Sequence, residues 1–201
     1  MILYIICFIL FALPLTIIFP VAVFGRKNVK ELKKKKQNYI VACNHMSNWD
    51  PVIVDLKFCK MFVLPAKKEL FKNKFKGGLL KYLGGVPVDR NSVDIAATRT
   101  VLRKLTKKKS VCIFPQGTRR ASPRIEEGSA KEGVAMFSIR TGVPVVPVVF
   151  NKKIKAFKKT KMFIGKPLYP DVARKHEKGY QEEFADLIVK EMNALLEGEQ
   201  K

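Results

Sequence analysis

The chain has 201 residues, 47% of them hydrophobic, which is enough to build a core and argues against global disorder. Lys and Arg number 39 against 17 Asp and Glu, a formal net charge of +22 that is borne more easily beside nucleic acid, a membrane surface or a polyanionic substrate, or that serves solubility alone. The four cysteines (Cys7, Cys43, Cys59 and Cys112) form no Cys-x-x-Cys pair, so their spacing gives neither a disulfide frame nor a zinc site and fits a reducing, cytosol-facing location.

Residues 1–24 carry no charged side chain, and Arg26, Lys27, Lys30 and Lys33 to Lys36 follow at once. An uncharged stretch of about 20 residues is long enough to span a bilayer. The basic residues come after it rather than before it, which speaks against a cleaved signal peptide. By the positive-inside tendency, that cluster and everything after it stay cytoplasmic. Pro14 and Pro20 each interrupt or kink a helix, so a bent element entering one leaflet stands beside a straight span. The reading is a membrane anchor with a basic juxtamembrane segment over residues 1–36 and an α/β domain over residues 37–201.

From residue 39 onward, short β-like runs alternate with helical ones. Strands are expected at 39–43, 61–64, 86–88, 111–114, 145–150 and 162–164. Ile95, Thr98, Leu102 and Leu105 recur at helical spacing within residues 93–107, with Asn91 or Ser92 as the cap. Residues 131–141 form a second helix stopped by Gly142, and residues 180–196 a terminal amphipathic one. The alternation predicts a mostly parallel sheet flanked by helices.

Four stretches carry candidate chemistry. The first runs Asn44-His45-Met46-Ser47-Asn48-Trp49-Asp50-Pro51 and follows an expected strand. A histidine can accept and return a proton near neutral pH, and a carboxylate on its other ring nitrogen fixes the tautomer. Five positions apart, His45 and Asp50 meet only if the backbone turns, which Asn44, Ser47 and Asn48 favour. Asp50-Pro51 also reads as the cap and first residue of the next helix. The other histidine, His176, sits among Arg174, Lys175 and Glu177 and reads as a solvated loop.

The second stretch, Gly84 to Arg90, turns tightly into a short strand and ends on a guanidinium that suits phosphate, or on a surface Arg paired with Asp89. The third is Phe114-Pro115-Gln116-Gly117-Thr118-Arg119, where Gly117 permits close backbone approach and Thr118 and Arg119 suit an anion, or which is an ordinary glycine turn. The fourth, Gly142 to Val148, has no acid–base side chain. Its prolines point to an edge strand or a bulge that walls the site. The run Lys152 to Lys159 mixes cations with Phe157, as nucleic-acid surfaces do, but no recognition-module pattern accompanies it. It reads instead as resting on headgroups or as a solvated hairpin.

In this order the four stretches resemble the glycerolipid acyltransferase family, whose bacterial members include lysophosphatidic acid acyltransferase. The resemblance rests on the His-x4-Asp pair His45 and Asp50, Gly85 to Arg90, Phe114 to Arg119 and Val143 to Val148, and covers residues 40–150. It implies that His45 is the general base and Asp50 its support. It also implies that Arg90, Gln116, Gly117, Thr118 and Arg119, with Lys131 in second rank, bind the acceptor. The co-substrate is then an acyl thioester of coenzyme A or acyl carrier protein, with no metal or prosthetic group. The resemblance also predicts the N-terminal anchor. Together with the basic cluster this gives a cell-membrane protein whose catalytic domain lies on the cytoplasmic side, and the cationic surface and the missing recognition module give anionic lipids and not nucleic acid as partners. Gln116 stands where the family usually has Glu. That keeps lysophosphatidic acid, glycerol 3-phosphate and another lysophospholipid open as acceptors, beside a non-catalytic lipid-binding relative.

Overall fold

The computed structural model describes residues 14–89, 94–126, 128 and 132–198. Residues 1–13, Arg90, Asn91, Ser92 and Lys131 therefore lie outside the described residues. In chain order the strands are β1 (Val21–Phe24), β2 (Ile40–Cys43), β3 (Leu64–Lys67), β4 (Gly85–Val88), β5 (Val111–Ile113), β6 (Val145–Phe150) and β7 (Thr160–Ile164). The helices are α1 (Lys30–Lys34), α2 (Asp50–Phe58), α3 (Lys74–Tyr82), α4 (Ile95–Thr106), α5 (Gly133–Thr141) and α6 (Tyr180–Glu197).

Five strands form one sheet in the order β1-β7-β6-β2-β5, and β3 pairs with β4 beside it. All pairs are parallel except β6–β7. That exception follows from the connection, since residues 151–159 are a loop joining neighbouring strands, whereas parallel pairs need long crossovers. Side chains alternate along β2. Ile40 and Ala42 enter a core with α4, α5 and α6, while Val41 and Cys43 enter a second core with α1 and α2. All four are fully buried, as a strand covered by helices on both faces requires. The fold is thus a mostly parallel α/β sheet between helical layers.

Several details differ from the sequence expectation. Residues 21–34, read above as anchor and juxtamembrane segment, are part of this fold. β1 pairs with β7, and Val29 and Leu32 are buried in the second core. Residues 14–18 form a helical turn, and among the described residues no helix is long and apolar enough to cross a membrane. The strand expected at 61–64 lies at Leu64–Lys67, because Val63 makes only a single bridge, to Val111, before the chain pairs with β4. Neither α3 nor β1 was expected. The double glycine conceals α3, although a Cβ on Gly77 would lie 2.5 Å from the Phe71 carbonyl oxygen, so close packing demands glycine there. Asp94 caps α4, accepting from the Ala97 N–H at 2.8 Å, in place of the expected Asn91 or Ser92.

Pro147 is a correction of another kind, because it lies in a central strand rather than at an edge. Its carbonyl oxygen accepts from Gly165 N–H at 2.8 Å, so the position of its missing N–H faces the same way, just past Ile164 where β7 ends.

Candidate active site

The carboxyl ends of β2, β5 and β6 lie side by side, and the chain leaving them builds the site. After β2, Asn44 is almost fully buried and ties three segments together. Its amide nitrogen donates to the carbonyl oxygens of Phe150 and Pro123, both at 2.9 Å, and its oxygen accepts from Phe150 N–H at 2.8 Å. These bonds fix the start of the turn that follows.

Within that turn His45 Nδ1 lies 2.8 Å from Asp50 Oδ2. The same oxygen accepts the backbone N–H groups of Met46 at 2.7 Å and Ser47 at 2.6 Å. The carboxylate is fully buried, and its Oδ1 has no hydrogen-bond partner among the described residues. Three donors converging on one oxygen lock its direction. With Nδ1–H donating to Asp50, the tautomer leaves Nε2 with the lone pair, ready to take a proton. The expectation that Asp50 caps the next helix is corrected. Trp49 holds the cap position, Asp50 is the first helical residue, and its side chain turns back to the preceding loop.

The third stretch closes over this pair. The Phe114 ring stacks on the His45 imidazole with centroids 4.1 Å apart. Arg120 N–H donates to the His45 carbonyl oxygen at 2.8 Å, and Arg119 Nη1 donates to Asn48 Oδ1 at 2.7 Å. Gly117 turns with φ 66°, its N–H bonded to the Phe114 carbonyl oxygen at 2.9 Å. Gln116 is buried, and its Oε1 lacks a hydrogen-bond partner among the described residues. Thr118 and Arg119 are exposed beside it. The sequence-assigned His45, Asp50, Gln116, Gly117, Thr118 and Arg119 therefore share one end of the sheet.

Asp89, near the end of the second stretch, is ion-paired with Lys68. That pairing holds the Lys68 ammonium above the ordinary lysine range. A cavity of about 270 Å³ opens between β4, α4 and α5, lined by Val88, Val101, Met136 and Phe137 and sharing Phe114 and Gly117 with the site. No group of three or more His, Cys, Asp or Glu side chains suited to a metal ion occurs among the described residues. His176 is exposed in its loop. Sequence reasoning missed the tying role of Asn44 and the stacking of Phe114. Asn44 acts on Phe150, 106 positions away, so only the folded register shows it.

Residues 21–151 match the Acyltransferase family model. A 1-acyl-sn-glycerol-3-phosphate acyltransferase of Bacillus subtilis is 31% identical over 178 residues, covering 83% of this chain and 79% of the relative. The protein of that name in Streptococcus pneumoniae is 28% identical over 162 residues, covering 77% of this chain and 59% of its own length. The crystal structure of the 1-acyl-sn-glycerophosphate (LPA) acyltransferase PlsC from Thermotoga maritima superposes with a TM-score of 0.61 at 29% identity, over 87% of this chain and 72% of that one.

Proposed function

Because the chain belongs to the Acyltransferase family, we propose that it moves a fatty acyl group from an acyl thioester to the free hydroxyl of lysophosphatidic acid, giving phosphatidic acid. The observation that carries this reading is the His45–Asp50 pair, with Nδ1 held at 2.8 Å by a buried carboxylate.

His45 Nε2 takes the proton of the acceptor hydroxyl as its oxygen attacks the thioester carbonyl carbon. The tetrahedral intermediate then expels the thiolate, and the imidazolium returns the proton to that sulfur, so His45 ends as it began. Asp50 orients the ring and stabilises the imidazolium. Arg119, anchored through Asn48, presents its remaining N–H groups to the acceptor phosphate, with Thr118, Gly117 and Gln116 beside it and with Arg90 and Lys131 as further cations. Holding the phosphate lowers the entropic barrier to attack. Coenzyme A or acyl carrier protein carries the acyl group, and no metal or prosthetic group takes part.

The site works at a membrane, with the domain on its cytoplasmic side. Supporting this, the uncharged N-terminal stretch reaches the active-site end of the sheet, where Phe19 packs on Trp49 of the site loop with ring centroids 4.7 Å apart. Anionic lipids are the natural neighbours of a chain with a formal charge of +22.

The test is product formation by the detergent-solubilised protein, with either thioester donor and phosphatidic acid followed by mass spectrometry. Wild type is expected to give product and His45→Ala almost none. Equal product from both would remove His45 as the base. Product only with glycerol 3-phosphate or another lysophospholipid would move the acceptor, the point at which Gln116 departs from the family Glu.

A further inference from the structure

Residues 151–159, between β6 and β7, are not used by the chemistry above. They carry five lysines (Lys152, Lys153, Lys155, Lys158 and Lys159), and no acidic residue occurs from Val143 to Pro170. All five lysines are exposed. The loop is nevertheless firmly footed. Ile154 is buried in the same core as Phe19, and Asn151 makes paired bonds with Lys161, its N–H donating at 3.1 Å and its Oδ1 accepting at 2.9 Å.

At the loop's outer edge Phe157 is 74% exposed. It also sits at φ 56°, in the left-handed region that side chains other than glycine adopt at a cost. Packing in the fold does not account for an aromatic side chain held out in this way.

The topology places this loop. β6 runs parallel to β2 and β5, so residues 151–159 leave the same end of the sheet as His45 and Phe114. β7 runs opposite to β6, and β1 is parallel to β7, so the segment entering β1 arrives at this end too. The two segments are joined. Phe157 N–H donates to the Ile18 carbonyl oxygen at 2.6 Å, and Thr160 N–H to that of Pro20 at 3.0 Å. Ile17, one residue before Ile18, is 64% exposed. Exposed Ile17 and Phe157 therefore share one rim with the lysines and with the active-site end.

We infer that this loop is a second membrane contact, with Phe157 inserted at the headgroup level and its lysines on anionic lipid phosphates. The inference rests on the membrane reading above and adds to it a named surface and a lipid charge. An apolar tip set among cations matches an anionic bilayer surface, where aromatic rings settle at the interface and each nearby lysine is worth about fivefold in affinity. A flexible nucleic-acid arm would not need the buried foot or the tie to the apolar N-terminal segment. Held in this way, the surface would turn the open end of the site toward the bilayer.

The experiment uses the full chain carrying Trp49→Phe and Phe157→Trp, so that one tryptophan reports on the loop. It is mixed with vesicles of neutral lipid alone or with about 30% anionic lipid, some carrying brominated acyl chains. The expected result is a blue shift and bromine quenching of the emission on anionic vesicles. Lys152→Gln, Lys153→Gln and Lys155→Gln introduced together should reduce both by at least tenfold at a fixed low lipid concentration. Flotation with the vesicles without shift or quenching would overturn the loop contact and leave the N-terminal anchor standing. Failure to float with either vesicle would overturn the loop contact and the membrane reading together. A shift produced by an oligonucleotide and not by vesicles would assign the surface to nucleic acid instead. Activity in detergent micelles, measured alongside, reports on the acyltransferase reading separately.

Discussion

Replacing Asp50 by Asn isolates the electrostatic part of the site, because the side chain keeps its shape and loses its charge. A carboxylate 2.8 Å from an imidazolium attracts it by about 6 kcal/mol at an effective dielectric constant of about 20. About 2 kcal/mol of this is already present in the resting enzyme, as a charge-assisted bond to neutral His45. The remaining difference, about 4 kcal/mol, acts only once the ring is protonated and corresponds to a loss of about 10³ in kcat. The Asn oxygen can still receive the Met46 and Ser47 N–H groups, but its NH2 then takes the place of the buried, unpartnered Oδ1. That leaves a buried donor unsatisfied and costs about 1–3 kcal/mol of stability, so the variant should fold with a Tm several degrees lower. The assay is steady-state acyl transfer on wild type and variant at matched temperature, with kcat and the acceptor KM separated. A large fall in kcat at nearly constant KM is expected. A kcat within tenfold of wild type, in a protein shown to be folded, would refute the claim that Asp50 supports the imidazolium.

Two further predictions concern stability. Burial pushes the Asp55 carboxyl from its ordinary value of 3.8 up to about 8, against a lowering contribution from the Phe62 N–H that it accepts. Between those pH values the folded protein keeps a proton that the unfolded chain has released. Stability therefore falls as pH rises, by about 1.4 kcal/mol per unit from this group alone. Asp55→Asn should remove that slope, so the variant's Tm should gain on wild type steadily from pH 5 to pH 8. Parallel Tm curves would show that Asp55 does not titrate there. Gly25, between β1 and the helical segment after it, has φ 79°, and a Cβ there would lie 2.1 Å from the Ile164 carbonyl oxygen. Gly25→Ala should cost about 2–4 kcal/mol and lower the Tm by about 5–15 °C. An unchanged Tm would mean that the segment melts apart from the sheet.

The sequence displays some of this fold because some elements carry their own signal. The run Val145 to Phe150 is apolar throughout, as a fully covered strand must be, and it was read with its true limits. Gly142 announced the end of α5 through the left-handed φ that it adopts. β1 was hidden because an apolar edge strand and a membrane segment are both uncharged, and only pairing with Thr160 to Phe163 distinguishes them. Asp50 shows the same limit within the site. Asp-Pro before an apolar run predicts a cap equally well, and the turn that brings the carboxylate to His45 depends on the Met46 and Ser47 amides, which carry no side-chain signature. The spacing of His45 and Asp50 and the turn needed to join them were legible, but the amides that hold the carboxylate were not.

The site owes its rigidity to the sheet more than to its loops. Asn44 spans from β2 to the last residue of β6 and to Pro123, and Arg120 bonds to His45 from beyond β5, so three strand ends are fixed relative to one another around one imidazole. If His45 is the base, as proposed, a ring held by strand ends needs little reorganisation when the acceptor arrives, which is where a preorganised site gains rate. The same strand ends face the uncharged N-terminal segment and the lysine-rich loop. On the membrane reading proposed above, an acceptor with an acyl tail in the bilayer and a phosphate in water would meet an apolar rim and a cationic side chain at that end. In the proposed pose the tail stays beside the apolar rim while the phosphate reaches Arg119. On that proposed reading, acyl transfer does not require the tail to leave the bilayer, which spares the cost of exposing its apolar surface to water.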